Sequence, residues 1–514
     1  MKKFFNIAGP CRAELHYMID PLQRLEGVQM LIEEQHYFAL HAPRQTGKTT
    51  YIFSLMQQLN KQGRYTALMV NIQTAADARD SREAMRMVAA AIYRQATAYL
   101  LEPEWPARVT ENDTKFDNLP DYLSDWARHN RRPIVLFIDE VDALHEEFLL
   151  VLLRQLRAGF EMRPRGYPQS IILVGLRDVQ EYKFHRADNH PSFNNGGSPF
   201  NVKSVSLLLP EFSFTELELL LLQHTHDTAQ IFSNEVKQCI FQLTQGQPWL
   251  VNALVNHILT KKLHNNTKQI ISVQHAMQAK NELLQNRNVH LYDLVSRLHE
   301  VPIKLVVESI INGEAPDFTQ LDDALAYARS LGLVARHPPI QFSNPIYLEL
   351  TLRALSAAFQ ESLADDLVNV SKYYNNEQKQ LNVDDMLTAF QRFYRRYAEV
   401  WLSRYDFKEA GRQLMFFAFL FRIVENNAEI KWDMSVGSTR CNLCIDYGEQ
   451  KIAITLKLRQ DNFARDEGLE QAARYADTQG LENCFLILFD VFWEERIYRE
   501  IVAIGNIKVT LLGM

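Results

Sequence analysis

The sequence predicts an α/β protein built on a parallel sheet that is covered on both faces. Three observations carry that reading. Short apolar segments at 37–41, 134–138 and 171–175 read as strands, the last two as buried ones. Amphipathic, Ala-rich or Leu-rich stretches at 51–59, 81–100 and 148–156 alternate with them and read as helices. Between the first strand and the first helix lies a small-residue loop that opens directly into Lys48-Thr49.

The chain has 514 residues, enough for roughly three to four domains of ordinary size, and none of them needs a disulfide or metal staple. Hydrophobic residues make up 47% and charged residues 23%, which excludes a disordered, collagenous or fibrous chain. Lys plus Arg is 55 against 62 Asp plus Glu, so the net charge of −7 does not advertise nucleic-acid binding, though a local basic face fits inside it. Five cysteines, an odd number, point to a reducing compartment rather than a disulfide framework. The longest apolar stretches, 414–421 and 485–488, fall far short of the roughly 18–20 residues that span a bilayer. After Lys2-Lys3-Phe4-Phe5, the residues Asn6, Gly9, Pro10, Arg12 and Glu14 interrupt any signal-peptide core. A soluble, cytoplasmic chain with no membrane partner is the expectation.

Taken in order, a Pro-punctuated segment over 1–36 leads into the strand Tyr37–His41 and the loop Ala42-Pro43-Arg44-Gln45-Thr46-Gly47-Lys48-Thr49-Thr50. A β-rich stretch at 65–72 and the helix at 81–100 follow, then the strand at 134–138 with Asp139-Glu140 at its end. Residues 183–201 break the pattern with Asn194-Asn195-Gly196-Gly197-Ser198-Pro199, a loop, and 205–209 reads as a further strand. Ser213-Phe214-Thr215-Glu216 has capping-box spacing ahead of a Leu-rich helix. From there the expected division is an α/β core over 1–212, a helical lid over 213–300 and a small helical domain over 301–355 with a hairpin at His337-Pro338-Pro339. A helical connector over 356–384 and a helix-then-sheet unit over 385–514 complete it, with strands only at 441–446, 451–458 and 485–489.

A strand, a small-residue loop and Gly47-Lys48-Thr49 opening a helix make a phosphate-binding device. Loop amides and the helix N-terminus aim donors at β- and γ-phosphates, Lys48 supplies a cation, and the Thr49 hydroxyl can join Mg²⁺. Ala42 stands where the pattern usually has Gly, which is tolerable at negative φ. The strand at 134–138 delivers two carboxylates to the edge where open α/β sheets bind ligands. Asp139 is then the Mg²⁺ partner and Glu140 the general base for water. Arg177 follows the strand at 171–175 and should emerge on the same edge, as a γ-phosphate sensor or as a surface Arg paired with Asp178. Arg154, Arg157, Arg163 and Arg165 read as solvated charges rather than inter-subunit fingers.

Together these residues resemble an ASCE-class P-loop NTPase, close to the AAA-related origin-recognition and STAND (signal-transducing ATPase) groups. Its Walker A segment is 42–49 and its Walker B segment Phe137-Ile138-Asp139-Glu140. Val174-Gly175-Leu176-Arg177 resembles a sensor-1 strand, whose terminal Arg in STAND proteins contacts the γ-phosphate. Gly246-Gln247-Pro248-Trp249 resembles the Gly-x-Pro turn that packs on adenine, which implies Pro248 as a base contact. On physical grounds alone this turn is a tight helix–helix corner with a buried Trp. Residues 331–334 with Phe342-Ser343-Asn344-Pro345-Ile346-Tyr347 resemble a winged helix. The whole chain resembles a bacterial family of AAA-like ATP-binding proteins carrying the runs at 41–49, Ser-Pro-Phe-Asn at 198–201 and Gly-Gln-Pro-Trp-Leu-Val-Asn at 246–252.

That resemblance implies a PD-(D/E)XK nuclease fold over 385–514. The fold's Asp falls on Asn442, its Glu on Thr455, and only its Lys survives, as Lys457. An amide and a hydroxyl supply no charge for a hard divalent ion, so a degenerate fold kept for binding is expected. Glu409, Asp446 and Glu449 are the substitute ligands to consider, and Gln471 and Tyr475 match further family positions. Cys441-x-x-Cys444 is a lone pair on a strand and argues against zinc, and His224-Thr225-His226 reads as a solvated pair at a helix end. The basic stretch Arg392, Arg395, Arg396, Arg404 and Lys408, interleaved with Phe393, Tyr394 and Tyr397, reads as an amphipathic helix rather than a nucleic-acid face. Three functions remain open. The first is an ATP- and Mg²⁺-dependent switch acting through a nuclease-like module, in defence or mobile-element biology. The second is an ATP-dependent scaffold for a protein partner, and the third a nuclease with non-standard ligands. A second copy of the chain is a further candidate partner.

Overall fold

Five apolar segments form the first sheet of the computed structural model, which describes residues 3–109, 118–177, 203–286, 289–313, 318–362, 373–375, 380–405, 407, 410–424, 428–434, 441–459, 463–490 and 498–514. The run at 183–201, including the Asn194–Pro199 and Ser-Pro-Phe-Asn segments, lies outside the described residues, as do Asp178, Lys408 and Glu409. The chain divides into two units, residues 1–241 with 245–272, and residues 242–244 with 273–514.

In the first unit the strands are β1 (Tyr37–His41), β2 (Thr66–Asn71), β3 (Ile134–Asp139), β4 (Ser170–Gly175) and β5 (Lys203–Leu208). They are all parallel, in the order β2-β3-β4-β1-β5. Successive residues point to opposite faces, and both faces are apolar. Phe38, Leu40, Val135, Phe137, Ile172 and Val174 pack on α1 (Val28–Glu33) and α2 (Lys48–Gln62). Tyr37, Ala39, Leu136, Ile138, Ile171 and Leu173 pack on α3 (Ser81–Tyr99), α4 (Leu119–His129) and α5 (Glu146–Ala158). Asp80 caps α3 by accepting from the Glu83 amide.

Beyond the sheet come α6 (Phe214–Thr228), α7 (Asn234–Thr244) and α8 (Pro248–His257). The Ser213–Glu216 capping box forms as its spacing predicts. Gly246 lies at φ +76, and a Cβ there would sit 1.9 Å from the Phe212 carbonyl oxygen, so the turn into α8 admits only glycine. His224 is not solvated: it is buried among Phe5, Tyr17 and Phe232, with its ring nitrogen 3.1 Å from Gln230 Oε1. Arg163 is not a free surface charge either, because its guanidinium stacks 3.4 Å from the Phe160 ring and bonds the Phe160 carbonyl.

The second unit begins with α9 (Val273–Gln285), α10 (Val289–Ser296), α11 (Val301–Asn312), α12 (Phe318–Ser330) and α13 (Pro345–Ser362). A short antiparallel bridge pairs Val334 with Phe342 around His337-Pro338-Pro339. A buried ion pair, Lys280–Glu349 at 2.7 Å, ties α9 to α13, with Arg353 adding a second bond to Glu349. The two-residue strands β6 (Tyr374–Asn375) and β7 (Gln380–Leu381) precede α14 (Val383–Arg404) and the largely buried α15 (Gly411–Val424). On α14, Phe393 and Tyr394 are buried while Arg392, Arg395 and Arg396 are exposed.

A mixed sheet closes the chain: β8 (Glu429–Met434), β9 (Cys441–Tyr447), β10 (Gln450–Arg459), β11 (Asn483–Asp490), β12 (Arg499–Ile504) and β13 (Ile507–Gly513). The order is β12-β13-β11-β10-β9-β8. Strands β8, β9 and β10 form an antiparallel meander, after which α16 (Ala464–Thr478) crosses to β11, parallel to β10. Leu469, Ala472, Ala473 and Ala476 seat α16 on Leu486, Leu488, Val509 and Leu511. Sheet structure thus starts before residue 441 and extends past 489, with β8, β12 and β13 added to the three strands expected. Among the described residues no helix is long and apolar enough to cross a membrane.

Candidate functional site

The sheet order decides the site. Strand β4 lies between β1 and β3, so its end falls between the loop after β1 and the acidic pair after β3. His41 pairs with Gly175, and the Ala42 amide donates to the Gly175 carbonyl at 3.2 Å. Gln45 (φ 64) and Gly47 (φ 93) take left-handed conformations that turn the loop into α2. The Thr46 hydroxyl closes it by donating to the Pro43 carbonyl at 2.8 Å.

The structure brings the predicted residues together here. The Lys48 ammonium is buried and donates to the carbonyls of Ala42 (2.8 Å) and Pro43 (2.9 Å). Burial lowers its pKa, while Asp139, Glu140 and Asp142 pull the other way. The Thr49 hydroxyl donates to Asp139 Oδ2 at 3.2 Å, across 90 residues of sequence. Burial first, and the Glu140 charge second, push the Asp139 carboxyl up to about 6. A buried carboxylate this poorly compensated, beside a hydroxyl oxygen, is a donor set that suits Mg²⁺. The Glu140 amide donates to Asp139 Oδ1, and Glu140 itself sits at φ 62, a left-handed position that costs a residue with a Cβ roughly 1 kcal/mol. Among the described residues no three metal-ligating side chains cluster.

Two further residues of the site escape sequence reasoning. Asp142 Oδ2 accepts from the Leu176 amide and so ties the turn after β3 to the end of β4. A Cβ on Gly175 would lie 2.3 Å from that oxygen, which explains the glycine. Asp142 also feels the positive charge of Arg177, which is half-buried at the end of β4. The second is Arg24. Its guanidinium donates to the Thr46 carbonyl at 3.2 Å, reaches Glu216 at 3.4 Å and lies over the Phe212 ring.

Arg24, Gln45–Gly47 and Thr50 line one side of an open cleft. Pro248, Trp249 and Asn252 of α8 line another, and residues 6–9 a third. Trp249 is buried and donates to the Ile7 carbonyl at 3.0 Å. Gln247 caps α8 through the Leu250 amide and donates to the Gln45 carbonyl at 3.4 Å. Pro248 thus lines the same cleft as Gln45, Thr46 and Gly47 of the loop.

The second unit holds a different polar group. Asn442 and Thr455 stand opposite each other on β9 and β10, and the Thr455 hydroxyl donates to Asn442 Oδ1 at 2.8 Å. Asn442 Nδ2 donates to Asp433 at 3.2 Å. Lys457 is not a bare cation: it pairs with Glu467 of α16 at 2.7 Å. Asp446 pairs with Lys431 at 2.6 Å, and Glu449 is exposed in the turn. Gln471 and Tyr475 lie buried on α16. Burial raises the Cys441 thiol well above its usual range and Cys444 to about 11, so neither offers a ready thiolate for zinc.

A family model described as an AAA-like domain matches residues 16–347. No curated relative matches the chain. Among solved structures it is similar to a Walker-type ATPase of Pyrococcus abyssi at 13% identity and TM-score 0.48, covering 68% of this chain and 99% of that one. It is also similar to the Aeropyrum pernix Orc1 protein solved in complex with DNA, at 15% identity and TM-score 0.33, covering 69% and 94%. The RuvB Holliday junction branch migration motor of Thermotoga maritima matches at 14% identity and TM-score 0.34, covering 63% and 90%.

Proposed function

The chain belongs to the AAA-like domain family, and from that premise we propose that it binds ATP with Mg²⁺ and hydrolyses it as a conformational switch. The observation that carries this is the convergence of Lys48, Thr49, Asp139 and Glu140 at one sheet edge. The Lys48 ammonium exchanges the Ala42 and Pro43 carbonyls for β- and γ-phosphate oxygens, and the loop amides complete the cradle. Thr49 and Asp139 would hold Mg²⁺, whose charge offsets that of the phosphates. Glu140 takes a proton from the water whose oxygen bonds the γ-phosphorus, while the bond to the β-phosphate oxygen breaks and ADP and phosphate leave. Arg177, at the end of the intervening strand, senses the γ-phosphate, and Asp142 positions that strand end.

The finer reading is a STAND-like switch whose helices after β5 act as the lid, with a winged helix over 301–355. The three helices and short hairpin there support it. For the C-terminal unit we propose a nuclease-like fold kept for binding. The β8–β9–β10 meander followed by α16 and parallel β11 supports the fold, and the uncharged Asn442–Thr455 pair supports loss of cleavage. Its partner is a nucleic acid or a protein, with a second copy of the chain as a candidate. Steady-state ATP hydrolysis, measured with and without duplex DNA or RNA while light scattering records assembly size, tests the proposal. Turnover that responds to nucleic acid with a steep salt dependence favours the first partner class. No turnover under any of these conditions overturns the hydrolytic reading.

A further inference from the structure

The two edges of the second sheet are built differently. At one edge β8 carries Glu429, Lys431 and Asp433 at alternate positions, and charges of this kind keep a foreign strand away. At the other edge β12 carries an unbroken apolar run, Ile501-Val502-Ala503-Ile504, without proline, and its register with β13 has no bulge from Arg499 to Ile504. The direction of its backbone groups follows from the turn. Ile504 pairs with Ile507 across Gly505-Asn506, and residues that flank a two-residue hairpin loop exchange both backbone hydrogen bonds. At the far end the Tyr498 carbonyl accepts from the Gly513 amide at 2.9 Å, in the same phase. Tyr498, Glu500, Val502 and Ile504 therefore turn their backbone groups towards β13, while Arg499, Ile501 and Ala503 turn theirs outward. Among the described residues nothing pairs with that outward edge. Arg499 and Ala503 are exposed, and Ile501 is 70% exposed.

We propose that β12 pairs with β12 of a second copy of this chain, antiparallel about a two-fold axis at Ile501, so that the two sheets become one. The outward groups are symmetric about Ile501, so an identical strand is their complement. Ile501 exchanges two backbone hydrogen bonds with Ile501 of the partner subunit, Arg499 does so with the partner's Ala503, and Ala503 with the partner's Arg499. Every outward N–H and C=O is then met. The charges permit this register. Arg499 is tied to Asp384 of α14 and Glu500 to Arg465 of α16, so neither side chain is loose at the edge. Glu500 lies opposite Val502 of the partner subunit, and no like charges face each other. Moving the axis to Glu500 would set that carboxylate against its own copy and leave Ala503 outside the pairing. One short strand buries little side-chain area, so association in roughly the micromolar range is expected.

The test is sedimentation velocity on the full chain over roughly 1–100 μM, without nucleotide. The wild type should pass from monomer to dimer across that range. Ile501→Lys sets two ammonium groups side by side at the axis and should weaken association at least tenfold. Ala503→Pro should do the same, because it deletes an outward N–H and leaves the β13 ladder alone. Neither change touches a buried contact, so melting temperatures should stay near that of the wild type. Cysteine substitution reads the register. Opposed residues of a hydrogen-bonded pair lie about 5.5 Å apart at Cα, within disulfide reach, so mild oxidation should link two chains through Ile501→Cys. Arg499→Cys, which faces Ala503 of the partner subunit, should not link to itself. A wild type that stays monomeric, a dimer that persists in both Ile501→Lys and Ala503→Pro, or equal linking through Ile501→Cys and Arg499→Cys overturns the proposal. Should a variant fail to fold, the pair of cysteine substitutions decides. None of these outcomes depends on whether the chain hydrolyses ATP.

Discussion

Both units carry polar side chains at the ends or middles of buried strands, yet the two groups differ in how their charges are met. In the first unit Asp139 is almost fully buried with a hydroxyl and an amide as partners, and its carboxyl rises to about 6. Lys48 is buried too, with two carbonyls as partners and a lowered pKa. In the second unit Thr455 satisfies Asn442, Asn442 reaches Asp433, and Lys457 has Glu467. A site that holds uncompensated charge gains when a ligand of complementary charge arrives, whereas a closed set of mutual hydrogen bonds gains little. The contrast separates a site poised for a charged ligand from a polar cluster that already satisfies itself.

The largest effect should come from breaking the first site. Lys48→Ala is expected to lower ATP affinity by roughly a hundredfold or more, because a buried cation facing phosphate oxygens is lost. The fold should survive, since Lys48 bonds only its own loop carbonyls. Calorimetric titration of the folded variant decides it, and unchanged affinity removes Lys48 from the site. Glu140→Gln should keep ATP binding and lower turnover by about 10²–10⁴, the usual contribution of a general base. Hydrolysis at the wild-type rate would take the base assignment away from Glu140. A smaller effect is expected for Arg177→Ala. It should erase the affinity difference between ATP and ADP, of order tenfold, and a preserved difference would return Arg177 to the surface.

Asp139 gives the comparison a pH axis. A carboxyl raised above its usual value favours the protonated folded form, so its contribution to stability is fully present below about pH 4 and lost as pH rises through about 6. At neutral pH the ionised group is a cost that a bound cation offsets. The Mg²⁺-dependent part of ATP affinity should therefore weaken as pH falls through 6, by about tenfold per unit below it. The γ-phosphate titrates in the same range, so Asp139→Asn supplies the baseline, and its profile should be flatter and less dependent on Mg²⁺. Matching profiles for the two proteins would sink the assignment.

What the sequence made legible follows the same physics. Strands β1, β3 and β4 are buried on both faces, so they stand out as unbroken apolar runs, and the loop and acidic pair attach to their ends. Strands β8 and β12 are half-exposed, and their alternation of charged and apolar residues, as in Glu429-Ile430-Lys431-Trp432-Asp433-Met434, looks like any polar surface segment. Asp142 acts through an approach to Leu176, 34 residues away, and nothing local signals it. Arg24 meets Thr46 and Glu216 from a Pro-punctuated segment with no periodicity. His224 looks solvated in the sequence because its burial comes from Phe5 and Tyr17, far upstream. Family resemblance singles out Asn442 and Thr455 as positions, but their mutual hydrogen bond and the Asn442 bond to Asp433 depend on strand pairing that the sequence does not display.

The last and smallest expected effect sharpens the comparison from the other side, by giving the second unit the uncompensated charge it lacks. Wild-type protein without nucleotide should show no Mg²⁺-dependent cleavage of DNA or RNA, and no shift in the melting of this unit with Mg²⁺ or Mn²⁺. The double change Asn442→Asp with Thr455→Glu places two carboxylates on directly opposed, buried positions beside Asp433. Without metal they repel one another and lose the 2.8 Å hydrogen bond, so the variant should melt a few degrees lower at neutral pH. Lowering the pH towards 5 should recover part of that loss, because protonation of the crowded carboxyls removes the repulsion. Mn²⁺ should recover it at neutral pH by neutralising them, and differential scanning fluorimetry reads both effects. Cleavage need not return, because Lys457 remains tied to Glu467 rather than turned towards a phosphate. Metal-dependent cleavage by the wild type that disappears in Lys457→Ala would overturn the closed-cluster view and make Asp433 and Glu467 the ligands to test.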